Sequence, residues 1–323
     1  MAADNAFASA VRRDFGIFDH AVYLNSCSQG ALSGRVRDAY GAYLRDWETE
    51  GSPWEYWVER METMRGAFAR LVGATADEVA VTTSASAAVS ALASGLRFDA
   101  GRDKVVITDF EFPTIGQIWH AQVLVDASQA VGAIPIDVRA LGADYLVGGT
   151  LKYLLGSAGL AFLYCRADLV GGIVPTTTGW FADADIFAMD ISDYSPHPSA
   201  RRFDAGTPPV PNIYAGIAGV GLVSELGVPT IAAHVQGLND QLIAGVDDLG
   251  GVVVTPRDPA LRGPLIAIAA TEATILVDTL AAAGLLTSER DNNLRVSPHA
   301  YNTTADIDAL LSALARHRHL LRT

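Results

Sequence analysis

Apolar residues recur at three- and four-residue spacing from Gly34 onward, with Val36, Tyr40, Tyr43, Leu44 and Trp47 sharing a face, and this predicts a helix. Gly51-Ser-Pro53 interrupts the pattern, which resumes as a second helix from Trp54 to Val72. Upstream, residues 1–24 read as a short amphipathic helix followed by the extended AVYLN. The texture then changes to short apolar runs. EVAVTT leads through a Ser/Thr-Ala turn into an Ala-rich helix, and KVVITDFEFP follows. The segment from Val123 to Tyr164 carries three more runs, VLVD, ADYLVGG and AGLAFLY. Short strands alternating with helices predict an α/β fold built on a parallel sheet with helices on its faces.

After Arg166 the chain becomes rich in Pro, Gly and Ser, in GGIVPTTTGWFADADIF and YSPHPSARRFDAGTPPVPN, which reads as long loops of an active site. A helix from about Asn212 to Leu226 leads to a C-terminal portion beginning at Val228. There the pattern predicts strands GGVVVTP, GPLIAIAA and NLRVS, with helices at Ala273–Ala283 and Ala305–His319. The expected organisation is a large domain over 25–227 and a smaller α+β domain over 228–323, with residues 1–24 joining the smaller one.

Half of the 323 residues are hydrophobic and 18% are charged, enough for a substantial core. The net charge of −13 argues against nucleic acid and against an anionic membrane surface as partners. Cys27 and Cys165 match no zinc spacing. Cys165 ends an apolar strand and reads as a core thiol; Cys27, in a Ser-rich loop, reads as a plain loop residue, with a reactive thiol as the alternative. The N-terminus shows no signal-peptide pattern, and no apolar run reaches the ~18 residues of a membrane span. The expected compartment is the cytoplasm.

The chemistry concentrates on Lys152, one amine among Gly, Thr, Leu and Tyr. An ammonium in such company serves as an ion pair, a phosphate ligand or a Schiff-base nucleophile with a lowered pKa. Asp126 ends its strand where α/β sheets place ligand sites, and an acid there can hold a pyridine-type nitrogen protonated. Gln129, three residues on, is placed to donate to a phenolic oxygen of the same ring. Ser84, Ala85 and Ser86 stand between a strand and a helix, where backbone N–H groups and hydroxyls suit a phosphate; an ordinary N-cap is the alternative. Asp183, Asp185 and Asp190 form no metal-ligand pattern and read as solvated loop acids, and no metal is expected.

Taken in order, Tyr23-Leu-Asn25, Asp126-Ala-Ser-Gln129, Lys152-Tyr-Leu-Leu-Gly156, Arg202-Phe-Asp-Ala-Gly-Thr207 and Leu294-Arg-Val-Ser-Pro-His-Ala-Tyr-Asn-Thr303 resemble the class V aminotransferase family. This is the fold-type I group of pyridoxal 5'-phosphate enzymes with cysteine desulfurases, selenocysteine lyases, kynureninases and isopenicillin N epimerase-like enzymes. The resemblance covers nearly the whole chain. It implies Lys152 as the Schiff-base lysine, Asp126 and Gln129 on the cofactor ring, and Ser84 to Ser86 on its phosphate. Phe112, in Phe112-Pro-Thr114, would stack on the ring. Thr150 would take over part of a phosphate contact that relatives make from the position of Leu151. Gly206, Thr207 and Trp180 would reach a neighbouring subunit's phosphate, making the protein a homodimer. Arg295 would grip the substrate carboxylate, with Asn25 and Ser26 nearby. His120 and His299 read as packing or hydrogen-bonding histidines.

The chain departs from the family in two further ways. No cysteine lies in Thr287-Ser-Glu-Arg-Asp-Asn-Asn293, where a desulfurase carries its nucleophile. Between Thr114 and Asp126 the family carries another strand–helix unit, whereas here Gln122 runs straight into Val123, so a segment is either omitted or lost, omission being the favoured reading. The resemblance leaves the bond that is broken open. Transamination leads, a C–S or C–C lyase or an epimerase follows, and a non-catalytic homologue is the reading of a different class.

Overall fold

The computed structural model describes residues 2–96, 124–188 and 194–323. Helix α1 (Ala2–Arg12) and strand β1 (Val22–Tyr23) precede two long helices, α2 (Gly34–Glu50) and α3 (Trp54–Val72). Ser33 starts α2 by accepting a hydrogen bond from Val36 N, and Gly51 stops it at the predicted break. Then come β2 (Val79–Thr82), α4 (Ala85–Gly95), β3 (Leu124–Asp126), α5 (Val138–Leu141), β4 (Tyr145–Gly149), β5 (Ala161–Cys165) and α6 (Ala167–Val170). Helices α7 (Val210–Leu226) and α8 (Val228–Asp248) are separated at Gly227. The chain ends with β6 (Ile266–Ala269), α9 (Ala273–Ala282), β7 (Leu285–Leu286), β8 (Ser288–Arg290), β9 (Asn293–Val296) and α10 (Thr304–Arg316).

The main described sheet has the order β2-β5-β4-β3. β3 and β4 are parallel as expected, but β5 runs antiparallel to both β4 and β2. The reason is local: the link 150–160 holds no helix that could cross over, so β5 must fold straight back beside β4. The sheet is therefore mixed. β4 and β5 are buried along their whole length, as strands covered on both faces must be.

One core joins α3, α7 and the sheet through Met64, Phe68, Leu146, Phe162, Ile213 and Val220. A second is assembled from α8, β6, β9 and α10 through Leu242, Ile268, Leu294, Ile307 and Leu310. Leu24 belongs to that second core, and β1 pairs in parallel with β7, so the N-terminal segment packs on C-terminal elements. The long α8 is absent from the sequence reading, although Ile231, Val235, Leu238, Leu242 and Val246 form a buried stripe at helical spacing. The expected strand GGVVVTP reduces to an isolated bridge at Val253 with Val252 and Val254 exposed. Among the described residues no single helix is long and apolar enough to cross a membrane.

Candidate active site

Lys152 lies in the link between β4 and β5, at the carboxyl edge of the parallel pair β3–β4, where Asp126 also ends its strand. The link is closed on itself: Gly156 N donates to Thr150 O at 2.8 Å, and Thr150 N to Leu160 O at 3.0 Å. Leu155 adopts φ +55, an uncommon conformation for a residue with a side chain, and packing holds it there. Three elements brace this link. Gly30 N donates to Leu151 O at 2.7 Å, and a Cβ at Gly30 would stand 2.4 Å from Lys152 O. Gly219 of α7 lets that helix touch the backbone of Leu154 to Gly156, where a Cβ would meet atoms at 2.6–2.7 Å. His299 Nε2 donates to Tyr153 O at 3.0 Å.

The Lys152 amine is half-buried, and burial holds its pKa below the ordinary lysine value. Asp126 and Cys27 act against that shift, while the charges of Arg295 and Arg290 add to it. The Asp126 carboxylate is oriented by Ser128 N, which donates to Oδ1 at 2.8 Å. Gln129 is exposed and donates from Nε2 to Cys27 O at 3.1 Å, tying the loop after β1 to the end of β3.

Ser84 caps α4, its Oγ accepting from Ala87 N at 3.0 Å, so the N-cap reading holds. Ser84 and Ser86 are exposed at this helix start, and Ala85 is half-buried between them. Gly206 and Thr207 line a cleft together with Thr82, Thr83 and Ala87 of the same chain. Their loop is fixed by two buried residues. Arg202 donates to His197 O, Val170 O and Ile173 O at 2.8–3.0 Å. Asp204 accepts from Val81 N at 2.8 Å and pairs with the buried Arg65 at 2.7 Å. Trp180 packs edge-on against Trp54 at 5.6 Å, and the next residue, Phe181, donates from N to Ala205 O at 3.2 Å. The Trp180 and Gly206-Thr207 loops therefore meet.

Two expected ligand contacts are otherwise engaged. Thr150 is fully buried and its hydroxyl donates to Ser157 O at 2.6 Å, so it closes the lysine link instead of facing a phosphate. Ser26 is also fully buried and shares a 2.6 Å hydrogen bond with Tyr301, leaving no hydroxyl for a substrate. Both corrections have one cause: a small hydroxyl inside a dry loop is used to satisfy the loop's own polar groups. Asn25 is half-buried beside Ser297, and its Oδ1 accepts from Ser28 Oγ at 2.8 Å. Asp183 and Asp185 accept from nearby backbone N–H groups and serve the turns of their own loop. Phe112, His120, Asp190 and the junction of Gln122 with Val123 lie outside the described residues.

Two residues act on Lys152 that the sequence reading did not place in the site. Cys27 is buried, with Sγ 3.6 Å from Asn25 Oδ1 and 3.8 Å from Ser288 Oγ, and it acts on Lys152 electrostatically. Its place two residues after Tyr23-Leu-Asn25 is the signal that marks it. Arg290, on the β8–β9 hairpin, adds its charge to the downward push on the Lys152 pKa; the turn Asp291-Asn292, with φ +52 and +57, is the Asx-rich two-residue loop that would have revealed the register. Cys165, by contrast, sits in the core as expected, its thiol pushed up to about 12 by burial.

A half-buried amine facing a strand-end carboxylate, with an arginine opposite and a capped helix start nearby, defines a lysine-centred α/β enzyme site. The family described as aminotransferase class-V matches residues 109–310, most of the chain, and the chain belongs to that family. It is thereby a pyridoxal-phosphate enzyme. It is similar to the uncharacterized aminotransferase YcbU of Bacillus subtilis, 29% identical over 90% of this chain and 93% of that protein. That alignment spans 351 positions, more than the 323 residues present here, so YcbU carries residues this chain lacks. The kynureninase of Pseudomonas fluorescens is 23% identical over 87% of this chain and 85% of its own. The apo cysteine desulfurase of Thermococcus onnurineus NA1 shares the fold, with a TM-score of 0.85 at 18% identity over 95% of this chain and 97% of that one.

Proposed function

We propose that the chain acts on an amino acid or amine, with transamination as its reaction and Lys152 as the residue that carries the cofactor and moves the proton. The observation behind this is the lysine itself, held below its ordinary pKa by burial beside Asp126. A lowered pKa increases the neutral fraction that can attack a carbonyl and later accept a proton. Pyridoxal phosphate, when bound, supplies the electron sink for the charge left at the substrate's Cα. The residues fit it: Asp126, aligned by Ser128 N, suits a protonated ring nitrogen, and the exposed α4 start suits a phosphate.

Arg295 presents a planar fork for the substrate carboxylate, and among the described residues its guanidinium has no hydrogen-bond or ion-pair partner in the chain. Gly206, Thr207 and Trp180 complete a phosphate site across a homodimer in this reading. The similarity to an aminotransferase over nine-tenths of the chain supports transamination. The second reading, a C–S or C–C lyase, is favoured by Cys27, whose thiol lies against Ser288 in the very loop where the sequence offered no cysteine. Incubation with an amino-acid panel and mass analysis of the products separates the two. A keto acid with cofactor converted to its amine form supports transamination; a cleaved side chain abolished by Cys27→Ala overturns it in favour of the lyase.

A further inference from the structure

Gly30, Gly219 and His299 fix positions 151–156 of the lysine link. Beyond them, Ser157 to Gly159 are exposed or half-buried and meet the seam between α2 and α7. That seam is packed by aromatic rings, with Tyr43 of α2 edge-on to Tyr214 of α7 at 5.7 Å. One turn earlier on the same face of α2, Tyr40 reaches the link. Its Oη lies 2.5 Å from Ser157 Oγ and 2.9 Å from Asn212 Oδ1 of α7. Ser157 Oγ lies 3.4 Å from the same Asn212 oxygen, so side chains of α2, α7 and the link converge on one point. Gly159, at φ +85, permits this approach, since a Cβ there would stand 2.5 Å from Asn212 Nδ2.

Tyr40 and Ser157 are 117 positions apart, yet the path from their contact to Lys152 is short. Ser157 O accepts from Thr150 Oγ1 at 2.6 Å, and Thr150 O accepts from Gly156 N at 2.8 Å. The chain from Thr150 to Ser157 is thereby closed into a ring. Lys152 stands on it, with its own carbonyl accepting from Leu155 N at 3.2 Å. A shift of Ser157 is passed by these bonds to Thr150 and so to the lysine beside it. From this bond path we infer that Tyr40 is a positioning residue for Lys152: its phenol, through Ser157, sets where the ring presents the amine. The inference rests on the enzyme reading above and adds to it a residue of α2 that acts through another side chain. An amine held in place competes for a carbonyl as though it were present at high concentration, and a loosened one competes less well.

That competition can be measured without turnover. The cofactor-loaded protein is equilibrated with increasing methylamine, quenched with borohydride and weighed by mass spectrometry, which gives the fraction of cofactor still on Lys152. Tyr40→Phe keeps the ring in the seam and removes only the hydroxyl. It is expected to reach half-displacement at about three- to tenfold less methylamine than the unaltered protein, the range one hydrogen bond is worth. Ser157→Ala should do the same, and the double variant should be no worse than either single one, because both act through one contact. Tyr214→Phe is the control. Tyr214 Oη donates to Asp46 Oδ2 at 2.6 Å, a bond that joins α7 to α2 across the same seam. Both phenylalanine variants lose one hydrogen bond, so a merely structural role would shift both proteins together, whereas positioning shifts Tyr40→Phe and leaves Tyr214→Phe unchanged. An unshifted Tyr40→Phe, a shift shared by Tyr214→Phe, or additive shifts in the double variant overturns the inference. If that happens in a protein that is yellow, the enzyme reading stands and only the role of Tyr40 falls. A protein that stays colourless with added cofactor refutes both.

Discussion

His299 joins the C-terminal portion to the lysine link, and acid should loosen that joint. Its ring is fully buried: Nε2 donates to Tyr153 O at 3.0 Å and Nδ1 accepts from Ala300 N at 2.8 Å. The bond from Ala300 N requires the neutral ring, and burial, outweighing the Tyr153 O contact that favours the charged form, pushes its pKa from 6.5 down to about 4. Above pH 6.5 the ring is neutral folded and unfolded, and pH has no effect through it. As pH falls from 6.5 towards 4, the unfolded chain takes a proton the folded chain refuses, and stability is lost. Below about 4 both states are protonated and the loss is complete. A displacement of that size corresponds to about 3 kcal/mol. The assay is urea unfolding at pH 7.5, 5.5 and 4.5, comparing the protein with His299→Gln. Glutamine keeps a donor for Tyr153 O but does not titrate. Its absolute stability falls through lost packing, so the comparison is of the slopes. The His299 protein should lose about 2.5 kcal/mol more than the variant across this range, most of it below pH 6. Parallel curves for the two proteins would refute the buried-neutral assignment.

Lys152→Ala should abolish turnover, and borohydride reduction of the unaltered protein should leave the cofactor on the peptide containing Lys152; undiminished activity in the variant would remove the lysine from its role. Gly30→Ala should place a methyl 2.4 Å from Lys152 O, force the two loops apart and cost about 1–3 kcal/mol, with weaker cofactor retention on dialysis. Asp204→Asn should leave the buried Arg65 with only the part-exposed Glu62 as its counter-charge and lower stability by about 2–4 kcal/mol in thermal unfolding. Thr207→Ala should weaken cofactor binding, and sedimentation should return a dimer; an active monomer would contradict the role given to the Gly206-Thr207 loop.

The order of elements was legible because local signals agreed with one another. Ser33 and Gly51 bracket α2 as their residue types dictate, and Ser84 starts α4. The places of Asp126 at the end of β3, of Lys152 just past β4 and of Arg295 within β9 were legible too, since apolar runs mark those strands. The hydroxyls of Thr150 and Ser26 misled because a sequence shows that a hydroxyl exists, not which buried carbonyl or phenol claims it. Strand direction at β5 misled for a related reason: alternation of strands and helices speaks for crossovers, but the link 150–160 has no helix. Cys27 and Arg290 stayed hidden because their proximity to Lys152 depends on pairing between segments far apart in the chain.

That same antiparallel return has a consequence for the lysine. A crossover would have left Lys152 at the mouth of a helix; folding back gives it an eleven-position link fixed at both ends by buried strands. The link spends its own polar groups inward, through Thr150 and Gly156, and its outward backbone atoms are taken by Gly30 and His299. With the backbone held from the N-terminal loop, from α7 and from the C-terminal portion, the amine is what remains to move. A group that must first hold a cofactor and then carry a proton needs that combination: a mobile side chain on a fixed backbone, whose position is set by elements that also carry Asp126 and Arg295.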